Sequence, residues 1–207
     1  MQPSEMDYIQ KLQPLKNPYF AMRHGTSTAN EEGIIMSNTE KSATHYGLSK
    51  KGYEEVRESA KNAKKDCVLN SDTVIMSSDF ARARETAEII ADVLSVDMVT
   101  TTPKLRERFF GIWDGTSNNN YKNVWDDDTH NADNSTNNVE NIKSVLSRTT
   151  KLIEDLENRY TGKNIVLVSH GDTLQILQTS FVGVIPSTHR SLAHLGTAEI
   201  RALNHNA

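Results

Sequence analysis

The chain of 207 residues is long enough for one domain that buries about 70% of the surface its unfolded state would expose. A net charge of -4 and an isoelectric point of about 6.0 provide no overall positive field, so nucleic acid is not an expected partner. The single cysteine, Cys67, excludes an internal disulfide and a cysteine-based zinc site, a pattern that fits a reducing compartment.

No apolar run approaches the ~20 residues of a membrane span, and residues 1–17 lack the apolar stretch of a signal peptide. We therefore expect a soluble, cytoplasmic protein with no membrane partner. Residues 1–207 are interpreted as a single domain, in which the polar residues 1–17 form a loose lead-in.

The first predicted strand is the apolar run at residues 19–22, which ends in Arg23-His24-Gly25. Open α/β sheets bind ligands at such carboxyl ends of strands. Arg23 has the planar fork of donors that matches an oxyanion, and His24 can act as nucleophile or proton carrier near neutral pH. Gly25 would let the backbone approach a ligand closely.

Residues 31–46 show no period and are predicted to be a loop. A helix should follow with Ser49 as its N-cap, because apolar residues then recur at helical spacing: Tyr53, Val56, Ala60, Ala63 and Cys67. Residues 72–76 are predicted to be a second strand, residues 80–94 a second helix and residues 97–102 a third strand.

Arg82 and Arg84 lie near the start of the second helix, where cations oppose the helix dipole. Their position indicates a bound anion or neighbouring carboxylates. For Arg84 we prefer a solvated surface position.

Residues 118–141 are about half Asn and Asp, which favours a solvated loop. A long helix is predicted over residues 138–160, with Gly162 placed to end it. Residues 165–168 have the continuous apolar pattern of a strand buried on both faces. This strand leads into Ser169-His170-Gly171-Asp172 and a helix through residue 181, and residues 192–203 should contain the last strand.

The alternation of strands and helices predicts a three-layer α/β/α sandwich with a mostly parallel central sheet. Two of its strands end in His-Gly, at His24 and at His170. If both strands end at the same edge of the sheet, the two imidazoles should meet there.

Four motifs in this order resemble those of the histidine phosphatase superfamily, the phosphoglycerate mutase-like proteins. They are Arg23-His24-Gly25, Ser77-Ser78 with Arg82-Ala83 and Thr86-Ala87, Leu105-Arg106-Glu107 with Gly111, and Ser169-His170-Gly171. The resemblance implies a phosphoglycerate mutase-like fold, a small phosphate ester as substrate, and neither a metal nor another cofactor.

The resemblance also implies a role for each matching residue. His24 would be the nucleophile that becomes phosphohistidine, while Arg23, Arg82 and His170 would hold the phosphate oxygens. Glu107 would be the general acid and then the general base. Asn30, Thr26 and Gly171 would also line the phosphate pocket.

These roles fit the chemistry of phosphoryl transfer, in which negative charge spreads over the equatorial oxygens and is stabilised by preorganised positive groups. Two guanidinium groups and a protonated imidazole would supply that charge. Glu107 lies between Arg106 and Arg108, which should favour its ionised form, so its surroundings would have to offset them.

Each residue also has a plainer interpretation. His24 and His170 could be structural histidines, Arg82 could pair with a surface carboxylate, and Glu107 could belong to a solvated charge run. Asn30 and Thr26 are equally common as ordinary loop residues.

Residues 126–128 with His130 could suggest a metal site, but a solvated acidic run is the preferred interpretation. Trp113 and Trp125 are expected to pack or to line the pocket rim.

Within the resemblance, a metal-independent phosphomonoester hydrolase is favoured over a mutase. The mutases hold the substrate carboxylate with an arginine pair in an insertion after the general acid, whereas residues 112–147 contain no arginine. Asp172 also stands where mutases usually have Asn, although Arg108 keeps a mutase-like pattern. The polar loop at residues 112–138 should cover the site and fits a sugar phosphate or other small phosphate ester, and a catalytically silent phospho-ligand binding protein is the third alternative.

Overall fold

The structure is a computed structural model, and it describes residues 14–204. Five strands form one sheet: β1 (Tyr19–Arg23), β2 (Val74–Ser77), β3 (Val99–Thr101), β4 (Ile165–Ser169) and β5 (Ile200–Ala202). The helices are α1 (Thr28–Glu32), α2 (Thr39–Thr44), α3 (Lys50–Lys65), α4 (Ala81–Leu94), α5 (Tyr121–Asp128), α6 (Ile142–Arg159) and α7 (Gly171–Val182). Short 3-10 turns lie between these elements.

The strand order is β3-β2-β4-β1-β5, and all neighbours are parallel except β5, which is antiparallel to β1. Strand β4 lies in the centre, and all five of its residues are buried. Its side chains alternate between two cores. Val166 and Val168 pack with α3 and α4 on one face, whereas Ile165 and Leu167 pack with α6 and α7 on the other. The predicted three-layer, mostly parallel α/β sandwich is confirmed.

The N-caps follow the sequence signals. The Ser49 side chain accepts a hydrogen bond from the Gly52 backbone at the start of α3, as predicted. Val56, Ala60 and Ala63 form the buried stripe of that helix, while Tyr53 is exposed and the exposed Cys67 lies beyond its end. The Arg84 side chain is 41% exposed and lies 3.8 Å from Glu88, in line with the preferred surface position.

Several predicted boundaries were wrong. Residues 31–46 contain α2, which has a single buried residue and therefore shows no apolar period. Helix α6 begins at Ile142 rather than at residue 138, because Asn141 caps it. It ends at Arg159 with Tyr160 as its C-cap, close to the predicted end at residue 160 and before Gly162. Of residues 192–203, only the three of β5 form a strand.

The prediction of a loop at residues 112–138 was wrong in part, because the segment contains helix α5. This helix buries Val124 and Asp128, one turn apart on the same face. Asp128 forms two hydrogen bonds to the buried Arg108, at 2.6 and 2.7 Å, so it is not part of a solvated acidic run. Long-range pairing thus orders a segment whose composition favours a loop.

Most of the predicted lead-in lies outside the described residues, but its end is packed rather than loose. Leu15 and Asn17 are buried, and the Asn17 amide donates hydrogen bonds to Glu157 and to the Tyr160 carbonyl oxygen. No helix among the described residues has the length and apolarity to cross a membrane.

Candidate active site

The two strand-end histidines lie side by side. Because β1 and β4 are parallel neighbours with Arg23 opposite Ser169, both strands end at one edge of the sheet. The backbone N–H of His24 donates to the Ser169 carbonyl oxygen at 3.0 Å. The imidazole centroids of His24 and His170 are 5.1 Å apart in an edge-to-face arrangement, so the sequence prediction that they meet is confirmed.

The hydrogen bonds of His24 fix which nitrogen carries its proton. Nδ1 lies 2.7 Å from the Gly25 carbonyl oxygen, which can only accept, so Nδ1 is the protonated nitrogen. Nε2 accepts from the Arg82 Nε–H at 3.2 Å and therefore holds the lone pair. Burial, with the charges of Arg82 and Arg23, lowers the pKa of His24 well below its usual value. A neutral imidazole thus presents a nucleophilic Nε2.

Arg82 reaches the site from the first turn of α4, and its side chain is buried. Its other hydrogen bond goes from Nη2 to the Met36 carbonyl oxygen at 2.8 Å. Nη1 is buried and has no partner among the described residues. A buried guanidinium with no carboxylate partner is costly unless it holds an anion.

Arg23, the last residue of β1, is the second arginine that lines the site. Its Nη1 lies 2.8 Å from His194 Nε2 and 3.1 Å from the Leu195 carbonyl oxygen, whereas its Nε is buried and unpaired within the described chain. Burial and the charge of Arg23 lower the pKa of His194 to about 4, so His194 accepts from Arg23. A Cβ at Gly171 would lie 3.1 Å from His194 and 3.6 Å from Arg23, so Gly171 makes room for this pair.

His170 is fully buried at the N-cap of α7. Its Nε2 lies 2.9 Å from the Ser78 hydroxyl, which already accepts from the Phe80 backbone N–H. Among the described residues, Nε2 is the one acceptor in hydrogen-bond reach of the Ser78 hydroxyl proton, so we assign that proton to this bond. The ring proton of neutral His170 is then on Nδ1, an atom with no partner in residues 14–204. Burial and the charge of Arg82 lower the pKa of His170 well below its usual value, so His170 is neutral in the unliganded protein. The protonated imidazole expected from the sequence concerns the phosphate-bound protein and stays a prediction.

Glu107 is held by one carboxylate oxygen. Oε1 accepts from the Arg108 backbone N–H at 2.9 Å and from the backbone N–H and hydroxyl of Thr173 at 3.2 and 3.1 Å. Oε2 forms no hydrogen bond within the described chain. Burial and the charge of Asp172 raise the pKa of Glu107.

The arginines that flank Glu107 do not neutralise it. Arg106 points to Asp79, with hydrogen bonds of 2.8 and 2.6 Å, and the Arg108 guanidinium binds Asp128 and Asp172. The sequence expectation that the guanidinium groups of Arg106 and Arg108 favour the ionised form of Glu107 was therefore wrong, because both groups bind aspartates instead.

A small polar pocket joins these groups. It is lined by Arg23, His24, Ser27, Ala29, Asn30, Ile34, Met36, Arg82, Glu107 and Tyr121. Two buried nitrogens of its lining residues, Arg23 Nε and Arg82 Nη1, lack a partner among the described residues. Nδ1 of His170 also lacks one; His170 does not line the pocket, but its ring lies 5.1 Å from that of His24. Buried polar atoms are normally paired, so this cluster is suited to an anion with several oxygens.

The other predicted pocket residues are Asn30, Thr26 and Gly171, and Gly171, placed above beside Arg23, does not line the pocket. Asn30 lines the pocket, but its amide oxygen accepts from Ser27 in the cap of α1. The Thr26 hydroxyl points to Glu55, at 2.8 Å, rather than into the pocket. Gly25 allows close contact with α3 and not with a ligand, since a Cβ there would lie 2.7 Å from the Gly52 carbonyl oxygen and from Val56.

Sequence reasoning missed Tyr121 and the buried charges behind the pocket. Tyr121 stacks on Trp125, with ring centroids 5.2 Å apart, and the Trp125 indole N–H donates to Asp172 at 3.0 Å. His189 Nε2 lies 3.4 Å from Asp172 on its other side. Asp172 had a sequence signal as the residue after the second His-Gly motif, and Arg108 had one as the residue after the predicted general acid, whereas Tyr121 and His189 had none.

Because His24 and His170 are neutral in the folded protein, we expect its free energy of unfolding to decrease in acid. Unfolded histidine titrates near pH 6.5, and buried His24 and His170 resist protonation. Below that pH the unfolded chain binds more protons, so the free energy of unfolding should fall with falling pH, by about 1.4 kcal/mol per pH unit for each histidine. Urea unfolding of wild type and His170→Gln at pH 7, 6 and 5 measures this, and the variant should lose one histidine's share of the slope. Equal slopes in the two proteins would contradict a neutral His170.

Among the described residues, no group of three or more His, Cys, Asp or Glu side chains could hold a metal ion. The arrangement around His24 combines a nucleophilic nitrogen, unpaired cationic donors and a carboxyl group of raised pKa.

Comparison with known proteins gives the same family as the motifs. A probable phosphoglycerate mutase of Escherichia fergusonii is 28% identical over 192 residues, covering 84% of this chain and 78% of that protein. A metal-independent phosphoserine phosphatase of Arabidopsis thaliana is 24% identical, covering 84% and 74%. The structure of a mycobacterial glucosyl-3-phosphoglycerate phosphatase shares the fold, with a TM-score of 0.73, 21% identity and 88% of each chain covered.

The sequence model of the histidine phosphatase superfamily (branch 1) matches residues 19–207, which include both strand-end histidines, Arg82 and Glu107. The chain therefore belongs to the histidine phosphatase superfamily.

Proposed function

We propose that this protein is a metal-independent phosphomonoester hydrolase that acts on a small phosphorylated metabolite, such as a sugar phosphate, through a phosphohistidine at His24. The observation that carries the proposal is the lone pair of His24 Nε2 beside three unpaired buried nitrogens, on Arg23, Arg82 and His170. Family membership and the phosphoserine phosphatase relative support hydrolysis of a phosphate ester.

The first step is transfer of the phosphoryl group to His24. Phosphate oxygens bind Arg82 and draw its Nε–H away from His24 Nε2, which frees the lone pair. Nε2 then attacks phosphorus, the phosphorus–oxygen bond to the leaving group breaks, and the leaving oxygen takes a proton from Glu107. The raised pKa of Glu107 favours the protonated form that this step needs.

The second step uses water. Glu107, now a carboxylate, removes a proton from a water molecule that attacks phosphorus, and the nitrogen–phosphorus bond breaks to release inorganic phosphate. Arg23, Arg82 and the Nδ1–H of His170 hold the equatorial oxygens in both steps. The negative charge of the phosphate opposes the causes that lower the pKa of His170, so binding favours its protonated form.

Glu107→Gln tests the acid–base role. Loss of the proton donor should lower kcat for an alkyl phosphate by about 10²-fold or more, because an alkoxide leaves poorly. An aryl phosphate such as p-nitrophenyl phosphate has a good leaving group, so its phosphorylation step should be affected far less. Rapid-quench measurement of the first turnover with both esters, in the presence of a chelator, gives the comparison. Equal losses with the two esters would contradict the role of Glu107.

A phosphotransferase of the mutase type is the alternative, favoured by the 28% identical probable phosphoglycerate mutase. The two activities differ in the acceptor of the second step, which is water in a hydrolase and a substrate hydroxyl in a mutase. Incubation with 3-phosphoglycerate separates them, because phosphate release that outpaces isomerisation supports the hydrolase. Binding of phosphate esters with no turnover of any of them would instead support a catalytically silent protein.

A further inference from the structure

We propose that Arg190 and Tyr121, which both stack on Trp125, form a subsite for a second anionic group, such as a carboxylate, on the leaving-group side of the substrate. This inference rests on the proposed function and specifies its substrate class. It is narrower than the sequence expectation, in which the polar segment at residues 112–138 fits a sugar phosphate or other small phosphate ester.

Tyr121 connects this subsite to the phosphate pocket. It lines the pocket together with Glu107, and its hydroxyl has no hydrogen-bond partner in the described part of the chain. Burial and the charge of Glu107 raise the pKa of Tyr121, so the phenol stays protonated and can only gain by donating to an acceptor. Since the leaving oxygen must lie next to Glu107, Tyr121 lies on the leaving-group side.

Trp125 links Tyr121, which lines the phosphate pocket, to Arg190, because both side chains stack on its ring. Its ring is nearly parallel to that of Tyr121, at an interplanar angle of 6°, and its indole N–H is fixed by Asp172. The Arg190 guanidinium carbon lies 3.7 Å from the centroid of the Trp125 ring. A guanidinium stacked in this way keeps the N–H groups on its edge free for a planar anion.

Arg190 has hydrogen-bond donors that no described residue uses. Its Nη1 binds the Gln175 side chain, while Nε and Nη2 form no hydrogen bond to any residue in 14–204. The carboxylate of Asp172 is 3.9 Å away and is closer to Arg108, at 3.2 Å, and to His189, at 3.4 Å. The side chain of Arg190 is 28% exposed, so a ligand can reach it.

The charge of Arg190 also acts on the phosphate pocket. It contributes to the lowered pKa of Arg23 and of His194. Burial lowers the pKa of Arg190 itself, although the charges of Asp172, Asp128 and Glu107 oppose that effect. A substrate that carries its second anionic group a few atoms from the phosphorus would satisfy Arg190 and the phosphate donors at once.

The test uses two ligands that differ only at the end remote from the phosphate. 3-Phosphoglycerate carries a carboxylate where glycerol 3-phosphate carries a hydroxymethyl group. Each is measured as a competitive inhibitor of p-nitrophenyl phosphate hydrolysis by wild type, Arg190→Gln and Arg190→Lys. Wild type should bind 3-phosphoglycerate at least about tenfold more tightly, because charge-assisted hydrogen bonds contribute about 1.5–3 kcal/mol and 1.4 kcal/mol is tenfold. Arg190→Gln should abolish this preference, and Arg190→Lys should retain part of it.

Inorganic phosphate and Arg84→Gln are the controls. The inhibition constant of inorganic phosphate should change less than about twofold in Arg190→Gln, and Arg84→Gln, which removes an exposed guanidinium on α4, should keep the wild-type preference. Equal inhibition of wild type by both esters would overturn the subsite, and so would a parallel loss for both esters and phosphate in Arg190→Gln. If p-nitrophenyl phosphate is not hydrolysed at all, the proposed function fails, and calorimetric dissociation constants of the same esters still decide on the subsite.

Discussion

Replacement of His24 by alanine should reduce phosphate ester hydrolysis by at least about 10⁴-fold, the scale seen when a covalent nucleophile is removed. His24 Nε2 is the neutral lone-pair nitrogen nearest to the unpaired donors of Arg82 and His170, and no other described side chain combines these features. Its removal leaves water to attack a phosphate ester that is bound but not activated. Steady-state hydrolysis of p-nitrophenyl phosphate in the presence of a chelator measures the effect.

His45→Ala is the matched control for this variant, because His45 is exposed and its ring contacts only the neighbouring Thr44 hydroxyl. Its activity should match that of wild type. His24→Gln keeps a polar side chain at the buried position and should be as inactive as His24→Ala while unfolding at the wild-type urea concentration. Residual hydrolysis within tenfold of wild type in both His24 variants would refute a covalent role.

Replacement of Arg108 by leucine should cost about 3–5 kcal/mol of folding free energy, since it leaves buried charges without their partner. Arg108 is fully buried and donates to both oxygens of Asp128, to Asp172 at 3.2 Å and to the Glu140 carbonyl oxygen at 2.6 Å. Burial alone would raise the pKa of Asp172, but His189 and Arg108 hold this pKa well below its usual range. Urea unfolding at pH 7 measures the loss.

Arg84→Leu is the control for Arg108→Leu. Arg84 is exposed and lies 3.8 Å from Glu88, so its removal should change the free energy of unfolding by less than about 0.5 kcal/mol. A loss below 1 kcal/mol in Arg108→Leu would mean that Asp128 and Asp172 do not depend on Arg108.

The parts of the fold that were predictable are those set by local pattern. Four consecutive apolar residues in β4 identify a strand with two covered faces, and the Ser49 hydroxyl identifies the start of α3. The meeting of His24 and His170 follows from topology, because parallel neighbouring strands end at the same edge of a sheet.

Helix α5 was not predictable in this way, because what orders it is distant in sequence. Asp128 pairs with a residue 20 positions earlier, and Trp125 donates to Asp172, 47 positions later. A run of three aspartates gives no sign that one of them is buried opposite an arginine. The same limit applies to Arg190, which reaches Trp125 from a 3-10 turn at Pro186–Ser191.

The pKa of Glu107 could not be predicted from the charges of the residues next to it in the sequence. Its two sequence neighbours are arginines, yet both guanidinium groups turn to aspartates, Asp79 and Asp128. What acts on Glu107 instead is burial and Asp172, which lies 65 positions later in the chain and raises its pKa.

The central claim is that the phosphoryl group passes through His24. Rapid quench into base of the protein mixed with a ³²P-labelled phosphate ester, followed by peptide mapping, tests it directly. We predict an acid-labile, base-stable label on the peptide that contains His24, formed before phosphate is released and absent from His24→Gln. A label on any other residue, or hydrolysis with no labelled protein during the first turnover in an enzyme whose second step has been slowed by Glu107→Gln, would contradict it.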